Sequence, residues 1–259
     1  MSDDFPLPNT NAELSGEVAL VTGTTSGLGW RFAKVLANGG AKVALTGRRK
    51  SRLVQLEAEI TAMGAECCSI PLDMTDQESV LQVVDKVEQA LGLVTILVNN
   101  AGIPDAKRAH KMPLDLINNV FDTNLVGPYI LSCEVARRLI AEERPGRMVN
   151  ISSVGAFRYE GNGAALYSIT KAGLARMTEC LAVEWSRFNI NVNCIAPGAF
   201  KSEMMDGMVE RLGDFSGTFP RKRFCDPAQL DSTLLYLCAP SSECVTGTVI
   251  KVDDGQGPR

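Results

Sequence analysis

The chain has 259 residues, 45% of them hydrophobic, ample for a sizeable core in one large α/β domain or two small ones. Its net charge is −4 and it carries no basic block, which argues against a nucleic acid or an anionic membrane as partner. No apolar stretch approaches the roughly 20 residues that span a bilayer, the acidic, Pro/Asn-rich start lacks the pattern of a signal peptide, and the scattered cysteines contain no Cys-x-x-Cys pair, so they read as reduced thiols of a cytoplasmic protein.

Strand and helix patterns alternate from end to end. β-branched runs lie at 18–21, 43–45, 94–98, 148–151, 192–195 and 249–252, with amphipathic segments at 51–63, 77–91, 113–142 and 164–188 between them. Near-continuous apolar strands separated by helices predict a parallel sheet covered on both faces. Right-handed crossovers then give an α/β, Rossmann-like doubly wound sheet flanked by helices. No linker or repeat interrupts the pattern, so residues 1–14 read as a tail and 15–259 as a single domain.

The first strand runs into Thr22-Gly23-Thr24-Thr25-Ser26-Gly27-Leu28-Gly29 and then a helical segment. Glycines 23, 27 and 29 let the backbone turn sharply and approach a pyrophosphate, towards which the helix N-terminus points its free N–H groups. The turn lacks a Gly-Lys-Ser/Thr ending, so it does not read as an ATP-type loop. The second strand ends at Gly47-Arg48-Arg49. An acidic residue there would bind the ribose 2′-OH of NAD; Gly47 followed by Arg48 favours NADP(H) over NAD(H). The bland alternative has Arg48 and Arg49 solvating a helix start.

The lone histidine, His110, argues against a His-based metal site or a Ser-His-Asp triad. Tyr167 and Lys171 stand four residues apart, which on a helix places a phenol and an ammonium on one face. A fixed cation there would lower the tyrosine pKa and make Tyr167 an acid/base near neutral pH. The stretch 199–220 carries Phe200, Met204, Met205, Met208, Phe215 and Phe219 among Gly and Ser. It reads equally as a substrate lid or as a small helical excursion packed on its own core.

Further motifs follow in order: Asn99-Asn100-Ala101-Gly102, Asn124, Asn150-Ile151-Ser152-Ser153, Tyr167 and Lys171, and Pro197-Gly198. This set resembles the short-chain dehydrogenase/reductase family across residues 14–255. The resemblance implies a nicotinamide cofactor and reversible carbonyl/alcohol chemistry. It implies that Ser153 orients the substrate, Tyr167 exchanges the proton, Lys171 tunes Tyr167 and binds the nicotinamide ribose, and Asn124 holds a relay water. It places the cofactor against Gly23, Thr25, Ser26, Gly27, Leu28, Gly29, Arg48, Asp73, Met74, Asn100, Ala101, Gly102, Tyr167, Lys171, Pro197 and Gly198. Ser153 stands fourteen residues before Tyr167, one more than the family's usual spacing, which leaves Ser152 open as the serine.

Phe157, Tyr159 and the 199–220 segment point to a fairly apolar small ketone or secondary alcohol as substrate. Two alternatives stand beside this reading. A 3-oxoacyl-acyl-carrier-protein reductase would need a basic docking patch, for which Arg137-Arg138 and Arg221-Lys222-Arg223 are available. A non-catalytic nucleotide-binding scaffold could use the same fold. The resemblance also implies a homotetramer or homodimer packed through the two long helices and the C-terminal segment.

Overall fold

The computed structural model describes residues 8–159, 161 and 163–257. Its sheet contains β1 (Val18–Val21), β2 (Lys42–Gly47), β3 (Cys67–Pro71), β4 (Ile96–Asn99), β5 (Gly146–Ile151), β6 (Ile190–Pro197) and β7 (Val249–Val252). They pair in the order β3-β2-β1-β4-β5-β6-β7, every neighbour parallel. The helices are α1 (Gly27–Asn38), α2 (Lys50–Ala62), α3 (Gln77–Leu91), α4 (Leu114–Phe121), α5 (Gly127–Ala141), α6 (Ala165–Trp185), α7 (Glu203–Leu212) and α8 (Asp231–Cys238).

Successive side chains of a strand point to opposite faces, so each apolar strand feeds two cores. Ala19, Val21, Val43, Leu45, Ile96 and Val98 pack with Phe32 and Leu36 of α1, Leu53 and Leu56 of α2, and Leu234 of α8. Val18, Leu20, Ala44, Leu97 and Met148 pack with Val83 and Val87 of α3, Leu131 and Leu139 of α5, and Leu174 and Leu181 of α6. The chain order reverses between β1 and β4, and in such sheets the crevice beyond the strand ends at that point binds the ligand.

The expected tail is partly anchored. Residues 1–7 of it lie outside the described residues, but Leu14 is fully buried and its N–H donates to Gly39 O at 2.8 Å. The expected helix 113–142 is divided. Between α4 and α5 the backbone takes a π turn over Asp122–Val126, with Gly127 N–H donating to Asp122 O. Pro128 has no N–H to give to the carbonyl of Asn124, so the regular ladder cannot run through. The segment 199–220 contains α7, none of whose side chains is fully buried, and a short turn at Ser216–Thr218. Phe215 and Phe219 meet Phe224, just beyond the segment, edge to face with centroids 5.2 to 6.0 Å apart, a small aromatic cluster.

A buried polar chain ties the sheet centre to the helices behind it. Asn99 Nδ2 donates to Asn150 Oδ1 at 2.8 Å and to Ser132 Oγ at 2.9 Å, and Asn150 Nδ2 donates to Thr178 Oγ1 at 2.9 Å. Asn150→Ala removes one buried hydrogen bond from Asn99 and one from Thr178, which keep only their bonds to Ser132 and Leu174. It is expected to lower stability by about 2 kcal/mol, measured as a shift of the urea midpoint at unchanged slope.

Candidate active site

At the switch point the glycine-rich turn is clipped to the end of β4. Asn100 Nδ2 donates to Thr22 O at 2.9 Å and to Gly23 O at 3.2 Å, while Thr22 Oγ1 accepts the N–H groups of Asn100 and Ala101, both at 3.0 Å. A Cβ on Gly29 would strike Gly23 O and Asn100 Nδ2, and Gly23 sits at φ +71° with Ala101 Cα 2.8 Å from where its Cβ would be. The turn is therefore a backbone cradle opening on the first turn of α1, whose N-cap Ser26 makes no side-chain cap bond. Those free amides, the positive end of a helix and the absence of Cβ bulk fit a dinucleotide pyrophosphate.

The end of β2 adds cations. A Cβ on Gly47 would meet Thr25 Cγ2 at 2.7 Å, so any side chain there would have to push the Thr25 side chain aside. Arg48 is exposed at this rim. The guanidinium tied to the turn is that of Arg49, which donates to Thr25 Oγ1 at 2.9 and 3.1 Å and pairs with Glu203 of α7 at 2.9 Å. Arg52 donates to Thr25 O at 3.2 Å and lies over the Trp30 ring at 4.6 Å. Neither Arg49, Arg52 nor Glu203 was singled out by the sequence pattern as part of the site, because only folding brings α7 to the end of β2.

Asp73 Oδ1 accepts the N–H and hydroxyl of Thr75, closing the turn after β3. Buried Met74 lies against Gly127, whose missing Cβ would come 2.7 Å from Met74 O. At the other end of the crevice, Pro197 closes β6 and Gly198 N–H donates to Val252 O at 3.0 Å. A Cβ on Gly198 would come 2.9 Å from Asp253 Cα, so the C-terminal turn frames this end.

Between them lie the four polar residues. Asn124, on the π turn, is fully buried and brackets Ile103: its Nδ2 donates to Ile103 O at 3.0 Å and its Oδ1 accepts Ile103 N–H at 2.8 Å. Its Nδ2 also reaches Thr170 Oγ1 at 3.2 Å. Lys171 is buried and donates from Nζ to Ile151 O at 2.7 Å. The place where Gly102 would carry a Cβ is 3.3 Å from Lys171 Nζ and 3.5 Å from Asn124 Oδ1. Ser152 Oγ donates to the Lys171 carbonyl at 2.7 Å, whereas Ser153 Oγ accepts Gly155 N–H at 3.1 Å and hydrogen-bonds the Tyr167 hydroxyl. Of the two serines, Ser153 faces the phenol.

The electrostatics depart from the sequence expectation. Burial raises the Tyr167 pKa, opposed by the Ser153 hydrogen bond and reinforced by the Asp105 carboxylate. The lowering expected from Lys171 is absent, because Nζ points to Ile151 O and lies 5.6 Å from the Tyr167 ring centroid. Burial instead lowers the Lys171 pKa from 10.5 to about 8, with Cys194 acting the other way.

The sequence model for short chain dehydrogenases matches residues 17–212. The chain is a short-chain dehydrogenase/reductase. It is 35% identical over 246 residues to the 3-oxoacyl-[acyl-carrier-protein] reductase of Aquifex aeolicus, covering 94% of this chain and 98% of that one. It is 33% identical over 245 residues to gluconate 5-dehydrogenase of Gluconobacter oxydans, covering 93% and 95% of the two chains. A short chain dehydrogenase from Burkholderia cenocepacia in complex with NADP superposes with a TM-score of 0.85 at 30% identity, covering 94% of this chain and 99% of that one. As a member of this family of dehydrogenases and reductases, the chain is an oxidoreductase.

The buried ammonium has a consequence for stability. A folded pKa of about 8, below the ordinary 10.5, means that the unfolded chain holds one more proton between those pH values. Stability from this group therefore rises as pH climbs through that window and is lost again below it. Relative to Lys171→Met, the wild-type protein without cofactor should gain on the order of 3 kcal/mol from pH 7.5 to 10.5. Paired urea titrations across that range measure it, and a constant difference would contradict it.

Proposed function

We propose that this short-chain dehydrogenase/reductase interconverts a ketone and a secondary alcohol on a fairly apolar small molecule, with NADP(H) favoured over NAD(H). The observation that carries the reading is the meeting of Tyr167, Ser153 and buried Lys171 beside a glycine cradle at the sheet's switch point. The nicotinamide cofactor, when bound, supplies or accepts the hydride. In reduction, Ser153 and Tyr167 share the substrate carbonyl oxygen, Ser153 orienting it and Tyr167 donating the proton. A raised pKa keeps the phenol protonated at neutral pH, which suits donation to a developing alkoxide. Lys171, held between Ile151 O and the backbone near Gly102, is placed for a ribose hydroxyl. Asn124 braces the loop at Ile103 and presents Oδ1 beside Lys171 for the proton relay.

The cradle residues Gly23, Thr25, Ser26, Gly27, Leu28 and Gly29 would hold the pyrophosphate, Asp73 and Met74 the adenine side, Asn100, Ala101 and Gly102 the centre, and Pro197 and Gly198 the nicotinamide. Support for NADP(H) comes from exposed Arg48, from Arg49 and Arg52 around Thr25, from glycine rather than an acidic residue at 47, and from the NADP-bound relative. Phe157 and Tyr159, both about half exposed, and the aromatic cluster at the end of 199–220 support an apolar substrate under a lid made by that segment. Exposed Tyr129, Ile169 and Val183 on α5 and α6 support a homotetramer or homodimer, and free thiols at all the cysteines support a cytoplasmic setting.

The acyl-carrier-protein reading is less favoured because the Arg137-Arg138 cluster is neutralised within the chain and the two arginines of the other cluster share one carboxylate. Arg138 pairs with Asp85, Glu88 and Glu134, Arg137 pairs with Glu134, and Arg221 and Arg223 both pair with Asp254.

Tyr167→Phe is expected to abolish turnover across a panel of ketones and alcohols while leaving the cofactor Kd unchanged, as read by cofactor fluorescence. Substantial residual turnover would sink the assignment, and cofactor binding by the wild-type protein without turnover on any substrate would favour a scaffold. Arg48→Ala should raise the Kd for NADPH roughly tenfold, the loss of one charge-assisted contact, and leave that for NADH within about twofold. Tighter binding of NADH than NADPH by the wild-type protein would overturn the cofactor choice.

A further inference from the structure

The helix that carries Tyr167 and Lys171 starts without a cap of its own. Its N-cap residue is Ala164, which has no side-chain acceptor, so the first amides of α6 need a partner from elsewhere. That partner is Asp105, sixty-one positions upstream of Leu166. Its Oδ2 accepts the N–H of Leu166 at 2.8 Å and the N–H of Tyr167 itself at 3.3 Å. The carboxylate is 3% exposed, and its Oδ1 is occupied by the N–H of Ala106 at 2.9 Å. Ala106 is held at φ +47°, a left-handed conformation uncommon for a residue with a side chain. Such a conformation persists only where its surroundings impose it, and here it turns the chain so that Asp105 faces α6.

The same strap is fixed at its other end. Asn124 clamps both backbone groups of Ile103, two residues before Asp105, and Gly102 passes beside Lys171. The loop after β4 thus runs from the cofactor side of the crevice to the amide of Tyr167, pinned at each end by a buried side chain. A neutral Ser or Asn would cap a helix as well as Asp does. The carboxylate adds a negative charge at the positive end of α6, next to the phenol.

We propose that Asp105 is a positioning residue for the reaction, supplying from the β4 loop the cap that α6 lacks and so fixing where Tyr167 meets the substrate oxygen. The inference rests on the assignment of Tyr167 as the proton donor. It also gives Asp105 a second effect. Among the described residues, the groups acting on the Tyr167 hydroxyl are the Ser153 hydroxyl, which favours the phenolate, and the Asp105 carboxylate, which disfavours it, with Lys171 beneath the ring and Cys194 facing Lys171 from β6. Asp105→Asn removes the charge while its remaining carbonyl oxygen can still cap α6, at the cost of the Ala106 N–H bond, and should let the phenolate form at lower pH.

The test uses the full chain with Asp105→Ala, Asp105→Asn and, as reference, Tyr167→Phe. Asp105→Ala should lower kcat by roughly tenfold or more, as small misplacements of a reacting group do, with the KM for cofactor within about twofold of wild type. Asp105→Asn should keep most of kcat at its optimum but move the acid limb of the alcohol-oxidation profile down by about half a pH unit. Wild-type kcat in Asp105→Ala, or an unmoved profile in Asp105→Asn, would overturn the proposal. If Asp105→Ala fails to fold, the Asp105→Asn profile decides alone. A dead Tyr167→Phe beside unaffected Asp105 variants defeats only this inference, whereas an active Tyr167→Phe defeats the assignment on which it rests.

Discussion

A buried ammonium sets the terms of this site. Lys171 lies against the sheet with its Nζ on the carbonyl of Ile151, the last residue of β5, and desolvation holds its pKa near 8. A charge in that position is tolerated only where fixed dipoles surround it. The neighbouring groups supply them: the Ile151 carbonyl, the Asn124 amide across Gly102, and the backbone of α6 steadied by Ser152. A loss in any of these moves the ammonium, and with it the phenol one turn earlier. The arrangement also explains why the phenol is not itself acidified. The lysine Nζ is held on the Ile151 carbonyl rather than on the tyrosine hydroxyl, and burial acts on both.

The remainder of the crevice is a problem of close approach. The parallel register of β1 with β4 brings the glycine-rich turn onto Asn100 and Ala101, at distances where a methyl group at position 23 or 29 would meet backbone. Gly47 belongs to the same constraint, since any side chain at that position would press on that of Thr25. Three arginines, Arg48, Arg49 and Arg52, line the same rim. Glu203 reaches the same rim from α7, so that helix and the end of β2 share one ion pair.

The polar side chains behind the site do the quieter part. Asn99, Asn150, Ser132 and Thr178 link β4 and β5 to α5 and α6 without touching the crevice. Asn124 owes its inward position to the π turn that Pro128 imposes. The expected helix over 113–142 is broken at the turn that contains Asn124.

The alternation of apolar runs with amphipathic segments, and the glycines at 23, 27 and 29, were enough to specify the doubly wound sheet and the place of its glycine-rich turn. Both follow from local periodicity and from the steric demands of single residues. The Tyr167–Lys171 pair was legible from its spacing, whereas Asn124 and Ser153 were named only through the family resemblance, with Ser152 left open. What no local pattern contained was the pairing of distant groups: Arg49 with Glu203, Asp105 with the amides of Leu166 and Tyr167, Ser152 with the carbonyl of Lys171. The sign of the Tyr167 shift belongs to the same class. Helical spacing places an ammonium near a phenol, but the depth of burial and the direction of Nζ decide which of them changes, and only the packed molecule has a depth.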